Sequence, residues 1–196
     1  MKDLLCVIYL AFLCFGCSTG YHAGSSPFGQ GVDLADQATL DGIISNAIPE
    51  NTLKMVKKTG GEIVFHAPND QTPYTGWAKV TYENGRVEFL NRYKNGKLNG
   101  PYTMWYENGR MESVENYREG KLNGPYMDWY SSGQRESREY YVDGLRHGSF
   151  TRWYEDGRKE SEKHYVFGKP DGTWVYFNAD GSERRRETYK NGGQVK

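Results

Sequence analysis

The sequence predicts an all-β chain, an array of β-hairpin repeats with a period of 24 that forms an elongated, twisted antiparallel meander sheet. Three observations carry this. Gly76, Gly100, Gly124, Gly148 and Gly172 follow one another at intervals of 24, and three further columns keep the same period. These are the glycines Gly85 to Gly181, the glycines Gly96 to Gly192 and the tyrosines Tyr93 to Tyr189, each column filled in all five copies. Most turn positions read Asn-Gly or Asp-Gly between aromatic or β-branched runs, the strongest short-range hairpin signal. The composition agrees: 16 Tyr, 8 Phe and 5 Trp stand beside 24 Gly, so apolar contact must come from rings laid over glycines.

The chain of 196 residues divides into four parts. Residues 1–16 read as a lipoprotein-type signal peptide, 17–50 as a flexible tether with a short helix, 51–75 as a degenerate N-terminal β cap, and 76–196 as five hairpin repeats. The apolar run Leu4–Phe15 is too short for a bilayer span, which needs about 18–20 residues, and suits a secretory h-region. Gly16-Cys17-Ser18 after it resembles the lipobox of bacterial lipoproteins, which implies lipidation of Cys17 and, from Ser18, an outer-membrane address if the source is Gram-negative. The other two cysteines, Cys6 and Cys14, lie inside the leader, so the mature chain is expected to hold no disulfide and no thiolate nucleophile. Ser18 to Gly31 is rich in Gly and Ser, as a tether requires. Asp33 to Ala47 has the pattern of a short amphipathic helix weakened by Gly42. Gly61 and the run Glu62-Ile63-Val64-Phe65 suggest the β cap.

Within a repeat, register follows from the turns. Two-residue type I′ loops at both turns would pair Tyr106 with Met111, Trp105 with Glu112, Tyr117 with Leu122 and Glu115 with Gly124. One face then collects Tyr102, Tyr106, Tyr117 and Leu122, with Tyr126, Tyr130 and Tyr141 in the next copy. The other collects Trp105, Arg110 and Glu112, then Trp129 and Glu136, then Trp153, Arg158 and Glu160. The tyrosine layer over glycines is the expected core.

The segments GKLNGPYTMWYENG, GKLNGPYMDWYSSG and GLRHGSFTRWYEDG, starting at Gly96, Gly120 and Gly144, resemble MORN repeats, and most closely the bacterial variant labelled an antitoxin-type repeat protein. The resemblance covers about 72 to 193. It implies a β-hairpin array that serves protein or lipid contacts. The last copy departs from the pattern, with Asn178 where Tyr82, Tyr106, Tyr130 and Tyr154 stand, as terminal repeats do.

Charge and motif bound the chemistry. Lys plus Arg and Asp plus Glu both number 25, and mean hydropathy is −0.83, which speaks against a general nucleic-acid binder and a multi-span membrane protein. His22, His66, His147 and His164 make no metal-binding spacing, and neither GxSxG nor a P-loop appears. No catalytic residue, metal or cofactor is therefore expected. Glu88, Glu112, Glu136 and Glu160, three of them with Arg86, Arg110 or Arg158 two residues before, read as a solvated Glu–Arg ladder. Trp105, Trp129 and Trp153 share one column and, with Arg110 and Arg158, form a candidate binding strip of residue types enriched at hot spots. The expectation is a non-enzymatic scaffold, membrane-tethered at the cell envelope, that binds an unidentified envelope protein or a lipid headgroup. An antitoxin-like neutralising partner and a glycan- or peptidoglycan-binding module are the alternatives.

Overall fold

The computed structural model describes residues 36–68 and 71–195. The expected leader, Cys17 and most of the expected tether lie outside the described residues. In chain order the elements are α1 (Gln37–Asn46), β1 (Ile48–Pro49), a 3-10 turn (Glu50–Thr52), β2 (Lys54–Lys57), β3 (Ile63–His66), β4 (Gly76–Thr81), β5 (Val87–Lys94), β6 (Lys97–Trp105), β7 (Met111–Arg118), β8 (Lys121–Leu122) and β9 (Gly124–Trp129). There follow β10 (Arg135–Val142), β11 (Leu145–Arg146), β12 (Gly148–Trp153), β13 (Lys159–Val166), β14 (Lys169–Pro170), β15 (Gly172–Phe177), β16 (Glu183–Lys190) and β17 (Gly193–Val195). All strands but β2 and β3 join one open 15-stranded sheet, running from β1 at one edge to β17 at the other. It is an antiparallel meander except at β1, which pairs parallel with β4. β2 and β3 form a separate hairpin.

The two turns of each repeat differ in kind. At the tight turns Asn95, Glu119, Asp143, Phe167 and Asn191 all have positive φ, as do the glycines that follow, which is the type I′ geometry the sequence predicts. At the other turns only the glycine is positive: Gly109 has φ 85, its N–H donates to the Tyr106 carbonyl, and the Tyr106 N–H donates to the Arg110 carbonyl. This wide turn adds a glycine bulge to a type I turn, and the Asn108 side chain accepts from the Arg110 N–H at 2.9 Å. The expected two-residue loop is corrected there.

That correction moves side chains. In the body of the hairpin the predicted register holds, with Met104 opposite Ser113 and Gly100 opposite Tyr117. At the turn, however, Trp105 pairs with Met111 instead of Glu112. The extra bulge residue turns the glutamate column over: Glu136 and Glu160 both reach Arg152, whose strand partners are Ser137 and Ser161 on the tyrosine face. The expected pairing of Glu115 with Gly124 is also replaced. Glu115 faces Tyr102, and Gly124 faces Tyr141, because the strand breaks between Leu122 and Gly124. Each column tyrosine thus stands opposite the glycine of its own repeat, 17 residues earlier.

A single row of cross-strand partners explains where the core sits. Lys79, Leu90, Thr103, Val114, Met127, Arg138, Thr151, Glu162, Val175 and Arg186 pair in succession across the sheet, on the tryptophan face. Its first half is largely apolar and is covered by α1. Leu40 and Ile43 of the helix pack against Val114, as do Trp77, Met111 and Trp129, while Lys79 Nζ donates to the Ile44 carbonyl at 2.6 Å. Asp36 caps the helix by accepting from the Thr39 N–H at 2.8 Å. The second half alternates Arg138, Glu162 and Arg186 with Thr151 and Val175, and no helix among the described residues covers it. The sequence therefore places the helix over the early repeats, where Leu90 and Val114 offer it an apolar floor.

Candidate functional site

Repeats are tied to one another by tyrosine hydroxyls. Tyr82, Tyr106, Tyr130 and Tyr154 each donate to the carbonyl 23 residues ahead, on Trp105, Trp129, Trp153 and Phe177, at 2.6 to 2.8 Å. In the fifth copy Asn178 stands in the tyrosine's place and donates to Ser182 Oγ at 3.0 Å. Arg86 and Arg110 make a parallel series at the wide-turn edge, donating to the carbonyls of Glu107 and Ser131. Arg158 bonds Asp156 instead. The expected Glu–Arg ladder is thus not built: these arginines brace turns, and Arg152 takes the glutamates. Of the candidate strip, Arg110 and Arg158 lie at the wide turns, where Arg110 donates to the Ser131 carbonyl and Arg158 to Asp156. Trp129 packs on Val114 in the part of the face under α1, and Arg135 lies 5.8 Å from the Trp153 ring centroid. Past the helix, Pro125, Arg138, Tyr140, His147 and Thr151 line a shallow open groove.

Residues 98–119 and 146–166 match the MORN repeat variant. The matched segments lie in two of the five copies, and each holds the first-column glycine, Gly100 or Gly148, the wide turn and the tyrosine opposite that glycine, Tyr117 or Tyr165. No curated protein matches the chain. Among the described residues no helix is long and apolar enough to cross a membrane, and no group of three His, Cys, Asp or Glu is placed to hold a metal.

The tyrosine face of the repeats carries chemistry that the repeat columns alone did not reveal. A second row runs Val80, Phe89, Met104, Ser113, Asp128, Ser137, Arg152, Ser161, Tyr176 and Arg185 as successive strand partners. The small serines leave room for Asp128, Arg152 and Tyr176 between them. Ser137 Oγ donates to Asp128 at 2.7 Å. Beside this row lie Glu115 and Glu139, which accept from the hydroxyls of Tyr117 and Tyr141 at 2.6 and 2.8 Å. Burial pushes the Asp128 carboxyl up to about 6, against the opposing hydrogen bonds from Ser137 and Tyr126. Burial likewise raises Glu115 above the usual carboxylate range, opposed by the Tyr117 hydroxyl.

The copies differ in how they balance these acids. In the third repeat Arg146 stands opposite Tyr141 and donates to Glu139 at 2.6 Å, its guanidinium over the Phe150 and Tyr165 rings. In the fourth, the position of Glu115 and Glu139 is Lys163, whose ammonium lies 5.1 to 5.4 Å from the Phe150, Trp174 and Tyr176 ring centroids. In the second, Leu122 stands opposite Tyr117 where Arg146 stands opposite Tyr141. Comparing the copies position by position, column 115-139-163 against column 122-146-170, would have shown this departure in the sequence.

Proposed function

We propose that this chain is a non-enzymatic scaffold that presents its repeat sheet to a protein partner at the cell envelope, held to the membrane by a lipid on Cys17. The observation that carries the reading is the series of hydroxyl rungs from Tyr82 to Tyr154, which fixes repeat on repeat into one extended open sheet. An enzyme needs groups converging on an enclosed site, whereas this architecture spreads its polar and aromatic side chains over two broad faces. The anchor is supported by the apolar leader and Gly16-Cys17. The partner surface includes the half of the tryptophan face around Trp153, which α1 does not cover, and the tyrosine face.

The test has two parts. Metabolic labelling with a fatty-acid analogue should mark the wild type and not Cys17→Ala. Crosslinking in intact cells should then recover a defined envelope protein with the wild type, and much less of it with the unanchored variant. Absence of acyl label on the wild type removes the membrane tether from this reading. Absence of any specific crosslinked protein removes the scaffold role.

A further inference from the structure

Glu115 and Asp128 are two half-buried acids for which no described residue provides a cation. Their equivalents show what is missing. Glu139 is 8% exposed at its side chain and is neutralised by Arg146. Where the next repeat drops the glutamate, Lys163 fills the space among three rings. Around Glu115 the repeat keeps the carboxylate and the rings of Tyr102 and Tyr117, 5.9 Å apart, but Leu122 replaces the arginine. Among the described residues no cation stands within ion-pair distance of Glu115 or Asp128. The Tyr126 phenol is within electrostatic reach of Asp128, Glu115 and Glu139, and burial first and those carboxylates next hold its hydroxyl protonated well above the ordinary tyrosine range.

A second observation points into the same spot. Ser113 is directly opposite Asp128, on the strand side away from Ser137, and is only 4% exposed. Its Oγ has no hydrogen-bond partner, whereas Ser137 Oγ on the other flank is bonded to Asp128. A buried hydroxyl without a partner costs free energy that a bound donor would recover. Two half-buried carboxylates, a free hydroxyl and tyrosine faces are the elements that recognise an ammonium or guanidinium.

We propose that Glu115 and Asp128, with the Tyr126 phenol within reach of both, form a docking site for a lysine or arginine side chain on an extended basic segment of a partner protein. The inference rests on the scaffold reading and names the partner's chemistry. The site lies on an open sheet face, so a single free amine would gain little beyond one ion pair. A peptide gains further contact from the flanking rows of Tyr102, Tyr117 and Tyr141. The partner cation takes the place that Arg146 takes beside Glu139.

The test titrates the full chain, in detergent, with a fluorescein-labelled decapeptide of alternating Gly and Lys, its Gly-Gln counterpart, and spermine, read by anisotropy or competition. The wild type should bind the Gly-Lys peptide and not the Gly-Gln one. Glu115→Gln/Asp128→Asn should weaken binding at least tenfold, while Glu83→Gln/Glu155→Gln, which removes the same charge from exposed wide-turn residues, should change it less than twofold. Leu122→Arg, which copies Arg146 into the second repeat, should also abolish peptide binding, and it should raise the melting temperature because the cation is then supplied in cis. Equal weakening by the two double variants overturns the site, as does unchanged binding by Leu122→Arg. Spermine binding more tightly than the peptide overturns the peptide assignment. A Glu115→Gln/Asp128→Asn variant that still crosslinks to the same envelope protein sinks this site and leaves the scaffold standing. A wild type that binds the peptide yet crosslinks to nothing does the reverse.

Discussion

The Tyr106 hydroxyl donates to the Trp129 carbonyl at 2.7 Å across 23 residues of sequence, joining the wide turn of one repeat to the end of a strand in the next. The same bond recurs from Tyr82, Tyr130 and Tyr154, so the tyrosine column is an inter-repeat tie as well as a source of apolar area. In a solenoid-like array, stability is a sum of repeat terms and nearest-neighbour terms, and these bonds belong to the second kind.

Tyr106→Phe or Tyr130→Phe should therefore cost about 1 kcal/mol each, the net worth of one hydrogen bond with its acceptor left half-exposed. Combining them should broaden the thermal transition as well as lower it, because neighbouring repeats then unfold with less coupling. Calorimetry of the single and double variants measures both effects.

Phe167 is a bulky side chain at φ 45 in the first position of a type I′ turn, and it is 55% exposed. Asparagine occupies the same position at Asn95 and Asn191. Phe167→Asn should relieve strain on the order of 1 kcal/mol or more, offset in part by the lost contact with His147, whose ring centroid is 4.6 Å away. A rise of a few degrees in melting temperature is expected.

Asp128 gives stability a pH dependence of definite sign. Burial raises its carboxyl to about 6 in the folded protein from an ordinary value near 3.8, with Glu136 and Glu139 adding to the rise and Ser137 and Tyr126 opposing it. The folded state therefore binds the proton more tightly than the unfolded chain. The stabilisation is complete below about pH 4 and is lost as pH rises through 6. Asp128→Asn should be more stable than wild type at pH 7, by about 1 kcal/mol after allowance for solvent screening of a partly exposed group, and the gap should close toward pH 4. Paired urea titrations from pH 4 to 7.5 give the difference directly.

The tryptophan column should divide by position. Trp129 packs against Val114, the same buried residue that Leu40 and Ile43 of α1 pack against, so Trp129→Ala opens a gap there and should cost about 3 kcal/mol. Trp153 lies past the helix beside Arg135, and Trp153→Ala should cost about 1 kcal/mol. Equal losses in chemical denaturation would show that the helix contributes nothing to the covered half.

The period of 24, the existence of two hairpin turns per repeat and the register through Gly100 and Tyr117 were all legible in the sequence. Each depends on local chemistry: positive φ at Asn-Gly and Asp-Gly, and strict alternation along a strand. The type of the wide turn was not legible, since Asn108-Gly109 fits both a two-residue loop and a bulged one, and the single extra residue decides which face Glu136 and Glu160 occupy. Which half of the tryptophan face is covered also waited for the tertiary structure. α1 is separated from Val114 by some seventy residues, and no local pattern in Gln37–Asn46 says where its apolar side chains find a floor. The uncompensated acids at Glu115 and Asp128 belong to the same class. Their spacing is visible in the chain, but only the pairing of Ser113 with Asp128 and of Tyr117 with Leu122 brings the carboxylates together without a cation, because charge balance is a property of neighbours across strands and not along them.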